Sequence, residues 1–167
     1  MERTSIQIRV ITLAEKFNIT MADTDRIVKG YIQFIKDSVK QGRQVDICGL
    51  ALVYPKDIEV SERFTLSYDL KCLAEQLKLP QYTVSMIVKE YISELVDELL
   101  SGQSIEIRGI LTMKPIMRGD EIISIRSKTS KSIREYCMQS GIYAKVKVHS
   151  MLRNKVERGE ANDRKDA

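Results

Sequence analysis

Apolar residues recur at helical spacing along residues 27–39, at Ile27, Val28, Tyr31, Ile32, Ile35 and Val39. They do so again along 87–100, at Ile87, Val88, Tyr91, Ile92, Leu95, Leu99 and Leu100. The pattern predicts two amphipathic helices. A shorter helix carrying Leu-Ala-Glu precedes each and ends near Asn18 or Lys78. Thr20 with Asp23 predicts an N-cap and an acidic first turn for the first long helix. Pro80 holds the matching place in the second, where a missing N–H costs little. Gly42 and Gly102 end these helices. The period then changes to two, in Val45-Asp46-Ile47 and Ile105-Glu106-Ile107, which predicts half-buried strands. Gly49 and Gly109 turn the chain into a second strand that reaches Pro55 or Pro115.

These two series are one series written twice. Residues 12–55 and 72–115 align without a gap at an offset of 60, and 13 of the 44 positions are identical. They include Leu13/Leu73, Ala14/Ala74, Glu15/Glu75, Tyr31/Tyr91, Gly42/Gly102, Gly49/Gly109 and Pro55/Pro115. The chain is a tandem duplication whose unit is helix, helix, hairpin, and the fold class is α+β.

Beyond the prolines the units diverge. The first hairpin is expected to turn around Val60-Ser61-Glu62 and to return through Phe64, Leu66 and Tyr68. The second has about thirty residues between Pro115 and the strand Ala144-Lys145-Val146-Lys147-Val148, which predicts an extended arm with a polar stretch from Ser127 to Ser132. A short helix from Ser150 to Glu157 follows. The expected organisation is a first unit over residues 1–67 with a truncated arm and a second over 68–157 with the longer β-arm and the terminal helix. Residues 158–167 form a polar tail expected to be disordered.

Composition narrows the function classes. Of 167 residues, 43% are hydrophobic and 30% charged, as in a soluble globular protein. No apolar run approaches the roughly 20 residues of a membrane helix, and the charged N-terminus predicts no signal peptide. The three cysteines, Cys48, Cys72 and Cys137, are odd in number and widely spaced, which fits reduced thiols in the cytoplasm. No phosphate-binding glycine loop, metal-spaced cluster or nucleophile pair is present in the sequence, so no cofactor, metal or enzyme activity is expected. His149, the single histidine, shows no evident carboxylate partner and is expected to be a surface or turn residue.

Charge is unevenly placed. The net charge is +4, yet residues 116–156 alone carry nine Lys/Arg against three Asp/Glu. Concentrated positive charge on an extended hairpin suits a phosphate backbone. Lysines that protect an exposed sheet edge would give the same pattern. Lys16 and Lys40 belong to the helical layer, away from this region.

Leu-Ala-Glu-Lys-Phe, the amphipathic helix, and Gly-x-x-Val-x-Ile-x-Gly together resemble the bacterial histone-like HU / integration host factor family. The second unit is the closer match, through Gly102, Ile105-Glu106-Ile107-Arg108-Gly109, Thr112 and the late Lys145-Val146-Lys147 before a short helix. The resemblance spans residues 4–156. It implies two HU/IHF-like units in one chain forming an intramolecular pseudo-dimer, with Leu50, Val53, Ile110 and Met113 buried between the halves. It also implies duplex DNA as partner, held on a saddle and a β-arm. The family's arm-tip proline wedge is missing here, since no proline follows Pro115, so binding without strong kinking is expected.

The expected nucleic-acid-binding residues are Arg108, Arg118, Arg126, Lys128, Lys131, Arg134, Lys145, Lys147 and Arg153. They would make the chain a monomeric, sequence-tolerant architectural DNA-binding protein of a bacterial nucleoid, or of a phage particle if virus-encoded. The alternative is the same fold redeployed as a structural or protein-interaction module, in a virion or a regulatory complex.

Overall fold

The computed structural model describes residues 5–61 and 66–158. Helices α1 (Ser5–Phe17) and α2 (Met21–Lys40) lead into strands β1 (Val45–Ile47) and β2 (Ala51–Pro55). Helices α3 (Leu66–Leu77) and α4 (Gln81–Leu100) lead likewise into β3 (Ile105–Ile107) and β4 (Leu111–Arg118). Then come β5 (Glu121–Thr129), α5 (Lys131–Met138), β6 (Ala144–Val148) and α6 (Ser150–Glu157). The described residues thus form an α+β fold of six helices and two three-stranded antiparallel sheets.

The local signals act where the sequence places them. Thr20 Oγ1 accepts from the Asp23 N–H at 3.1 Å, and Pro80 caps α4 without a side-chain bond. Asn18 and Lys78 close the short helices in the left-handed region, at φ 53° and 57°. Gly49 and Gly109 have φ of 80° and 83°, where a β-branched residue is strained.

The helices of both halves share one core. α2 packs on α4, α1 on α4 and α3 on α2. Ile27, Ile35, Ile87, Ile92 and Leu95 are buried with Leu50, Val53, Ile110 and Met113 in a single apolar cluster. Each such side chain contributes about 1.5–3 kcal/mol. The two outer helices are held differently. A Cβ on Gly30 would stand 3.1 Å from Leu77 Cδ2, so α3 lies close on α2. Glu90, one offset later, instead pairs with Lys16, while Arg9 pairs with Glu94 and Glu98, so α1 is tied to α4 by charge.

The sheets overturn the expected return of the first hairpin. Leu66 and Tyr68 lie in the opening turns of α3, and Phe64 falls outside the described residues. Leu66, Leu70, Leu73, Ala74 and Leu77 follow helical spacing, which wins over the short alternation. The expected boundary at 67/68 therefore falls inside a helix. After a turn at residues 56–57 the chain is irregular to residue 61, with Gln44 and Ser61 exchanging hydrogen bonds.

The third strand of the first sheet is β6, from the other end of the chain. The sheet orders are β1-β2-β6 and β3-β4-β5. Ala51 pairs with Val148, Val53 with Val146 and Pro55 with Ala144. The segment assigned to the second unit as its return strand and terminal helix thus completes the first. The second sheet is closed by β5, and the polar stretch from Ser127, expected as part of the arm, runs instead through the end of β5 into the helix α5. The tail expected over 158–167 contributes Arg158 as the C-cap of α6; residues 159–167 lie outside the described residues.

Candidate nucleic-acid interface

The two closing segments are equivalent. Thr129 opposes Leu111 as Val148 opposes Ala51, and Leu111 is Ala51 shifted by the repeat offset. The Ser130 N–H donates to Ile110 O at 2.8 Å; the His149 N–H donates to Leu50 O at 3.1 Å. Residues 125–138 therefore map onto 144–157 at an offset of 19. Buried Ile133 and Cys137 match buried Leu152 and Val156. Arg126 matches Lys145, Lys128 matches Lys147 and Arg134 matches Arg153.

Strand alternation sets where these cations point. On β4 and β5 the inner face carries Leu111, Met113 and Pro115, all buried. The outer face carries Thr112 opposite Lys128 and Lys114 opposite Arg126. On β6, Ala144 faces the core and Lys145 and Lys147 are exposed. β5 and β6 approach each other without pairing. Arg126 and Lys128 thus stand on one side of this seam and Lys145 and Lys147 on the other. None of the four forms an ion pair among the described residues. Lys114 joins them; residues 68–115 carry five Lys/Arg against seven Asp/Glu, so charge does not single it out, and only the strand register brings it opposite Arg126.

The other expected residues are placed around this group. Lys131 and Arg134 are on α5 rather than on an arm, both exposed, with Lys131 paired to Glu135 at 3.6 Å. Arg153 is exposed on α6. Arg108 is exposed in the β3–β4 turn, beside Gly109, whose added Cβ would meet Ser132 on α5. Arg118 is set apart. It stands at the tip of the β4–β5 hairpin, paired in register with Glu121 and next to Asp120, six positions along β4 from Thr112. At about 3.4 Å per residue that is roughly 20 Å from the Lys128 level. One cation against two carboxylates leaves the tip slightly acidic, so the positive surface is at the base of the hairpin.

α5 is fixed by a polar joint to α2. Tyr136 donates to Asp37, Lys36 Nζ donates to Ser132 Oγ at 3.1 Å, and Lys40 Nζ to Gln139 Oε1 at 2.9 Å. Both lysines also lie over the Tyr136 ring, at 5.1 and 4.1 Å from its centroid. The expected separation of Lys40 from this region is therefore corrected: it fastens the helix that carries Arg134. α6 is fixed by different chemistry. His149 is buried, not a surface residue, and its partner is Asp46, whose identity depends on β6 lying beside β2.

Burial pushes the Cys48 thiol up to about 12 and raises that of Cys137 as well, so neither is a ready nucleophile at neutral pH. Among the described residues no group of three His, Cys, Asp or Glu is placed to hold a metal ion, and no helix is long and apolar enough to cross a membrane. Compared with known proteins, the chain matches no family model, no curated protein and no solved structure.

Proposed function

We propose that this chain is an architectural DNA-binding protein that holds duplex DNA, largely without sequence preference, on the outer faces of β4, β5 and β6. One observation carries the reading. The repeated strand–helix segment sets Arg126 and Lys128 against Lys145 and Lys147 on adjacent, exposed strands, with Lys114 beside them. Five exposed cations, none in an ion pair among the described residues, suit the phosphates of a backbone, whose contacts carry no sequence information. The resemblance of the repeats to the HU / integration host factor family points the same way, with the two units acting as an intramolecular pseudo-dimer. Such a partner would place the chain on a bacterial nucleoid or in a phage particle.

The hairpin tip takes little part in this reading, because Arg118 is outweighed by Asp120 and Glu121. The test is duplex binding followed by fluorescence anisotropy across a salt series. Binding that steepens at low salt and is lost when Arg126, Lys128, Lys145 and Lys147 are replaced by alanine supports the reading. Undetectable binding at low salt, or binding indifferent to those substitutions, overturns it.

A further inference from the structure

Between the α5 end of β5 and the start of β6 the surface opens into a groove of about 860 Å³. Small-ligand sites occupy roughly 300–1,000 Å³. Four cations line it: Lys128, Lys131, Arg134 and Lys145. Its lining carboxylate, Glu135, is engaged by Lys131. Three positive charges are left over, the complement of an ionised di- or triphosphate.

The same groove holds two side chains that phosphate binding does not use. Tyr143 is 58% exposed and Met138 44% exposed, and both line it. Tyr143 is not on a loose loop. Its carbonyl accepts the Lys56 N–H at 2.8 Å, extending the β2–β6 ladder, and Lys56 Nζ lies 5.8 Å from the ring centroid. A positioned aromatic ring and a polarisable thioether beside a cationic wall ask for a flat, apolar, polarisable group joined to an anion.

We infer that this groove binds a free nucleoside di- or triphosphate, with the base against Tyr143 and Met138 and the phosphates on Arg134, Lys128 and Lys145. Arg134 supplies the planar fork that grips phosphate oxygens in pairs. The site does not depend on the duplex reading. If both hold, nucleotide and duplex compete, because each needs Lys128 and Lys145.

Calorimetric titration of the full chain with ATP, in buffer without divalent cations, tests this against two fragments of the ligand, adenosine and inorganic tripolyphosphate. ATP is expected to bind one to one, and each fragment at least about tenfold more weakly. Arg134→Ala is expected to weaken ATP about tenfold, the loss of one charge-assisted contact. Tyr143→Ala is expected to bring ATP down to the affinity of tripolyphosphate while leaving tripolyphosphate itself unchanged. Both side chains are exposed, so an unchanged melting temperature confirms that the variants fold. Absence of saturable ATP binding overturns the site. Tripolyphosphate that binds as tightly as ATP overturns the nucleotide assignment, since it leaves only an anion-attracting surface.

Discussion

His149 Nε2 lies 3.1 Å from Asp46 Oδ2, joining two residues 103 positions apart in a buried bond. The Nδ1 of the same ring accepts the Met151 N–H at 3.1 Å, which leaves the proton on Nε2 to be donated to the carboxylate. The other oxygen of Asp46 accepts the Gly49 N–H at 3.0 Å. One carboxylate thus holds the β1–β2 turn and the first turn of α6 together. His149→Ala is expected to lower stability by about 1–3 kcal/mol, because it removes a helix cap and leaves a buried acceptor unfilled. Urea unfolding measures this; a loss below about 0.5 kcal/mol, the scale of a neutral surface change, would refute it.

Gly49 and Gly109 share a backbone conformation but not their surroundings. Valine at either position is expected to cost about 1–3 kcal/mol from positive φ alone. At Gly49 an added Cβ also stands 3.3 Å from Met151 Sδ, whereas at Gly109 the nearest atom is Ser132 Oγ at 3.7 Å. Gly49→Val is therefore expected to be the more damaging of the two. Thermal melts of both variants should rank them in that order.

If the five cations at the β5–β6 seam meet a duplex, each neutralised phosphate contributes about −0.9 to the slope of log affinity against log salt. Four or five contacts give a slope of roughly −3.6 to −4.5. Replacing Arg126, Lys128 and Lys131 with alanine is expected to flatten the slope without disturbing the helical core. Lys131 should give the least of that change, since it already has Glu135. Lys71, exposed on α3, is the proper control; Lys40 is not, because its loss would loosen α5. A slope unchanged by the triple substitution removes these residues from the interface.

Alkali is expected to unfold the protein through buried weak acids. Burial lifts Cys48 from its ordinary value near 9 to about 12, and Tyr91 from near 10 to about 12. Both are neutral in the folded chain where the unfolded chain would already ionise. Their contribution is complete below about pH 9 and is lost as the pH rises towards 12. Unfolding midpoints measured from pH 7 to 11 should fall above pH 9, more gently in Cys48→Ala. In the folded protein at pH 8, the half-buried Cys48, its thiol held neutral, should react with iodoacetamide more slowly than in the urea-unfolded chain; equal rates would contradict the raised thiol.

The α2 and α4 helices, their caps and both glycine turns are legible because each rests on interactions within a few residues. The partner of β2 is not. Two strands close two sheets of the same order, and nothing local to Ala144–Val148 says which edge it joins. α5 escapes notice because only Ile133 and Cys137 of its eight residues are buried, and its match to α6 retains only Arg134/Arg153 as an identity. The cations at the seam stand out by charge alone. Lys114 does not, nor does the bond from His149 to Asp46, because both are created by pairing across distant strands.

The late arrival of β6 also sets the order in which the chain can fold. On a ribosome, β2 emerges with one edge unpaired and keeps it open until residues 144–148 have been made, well after the second unit's helices have been translated. Closing that loop costs entropy before the sheet repays it, so completion of the first sheet is expected to be slow. Meanwhile Ala51, Leu52 and Val53 present an apolar edge to any neighbouring nascent chain. Pairing with Ala144–Val148 then covers that edge.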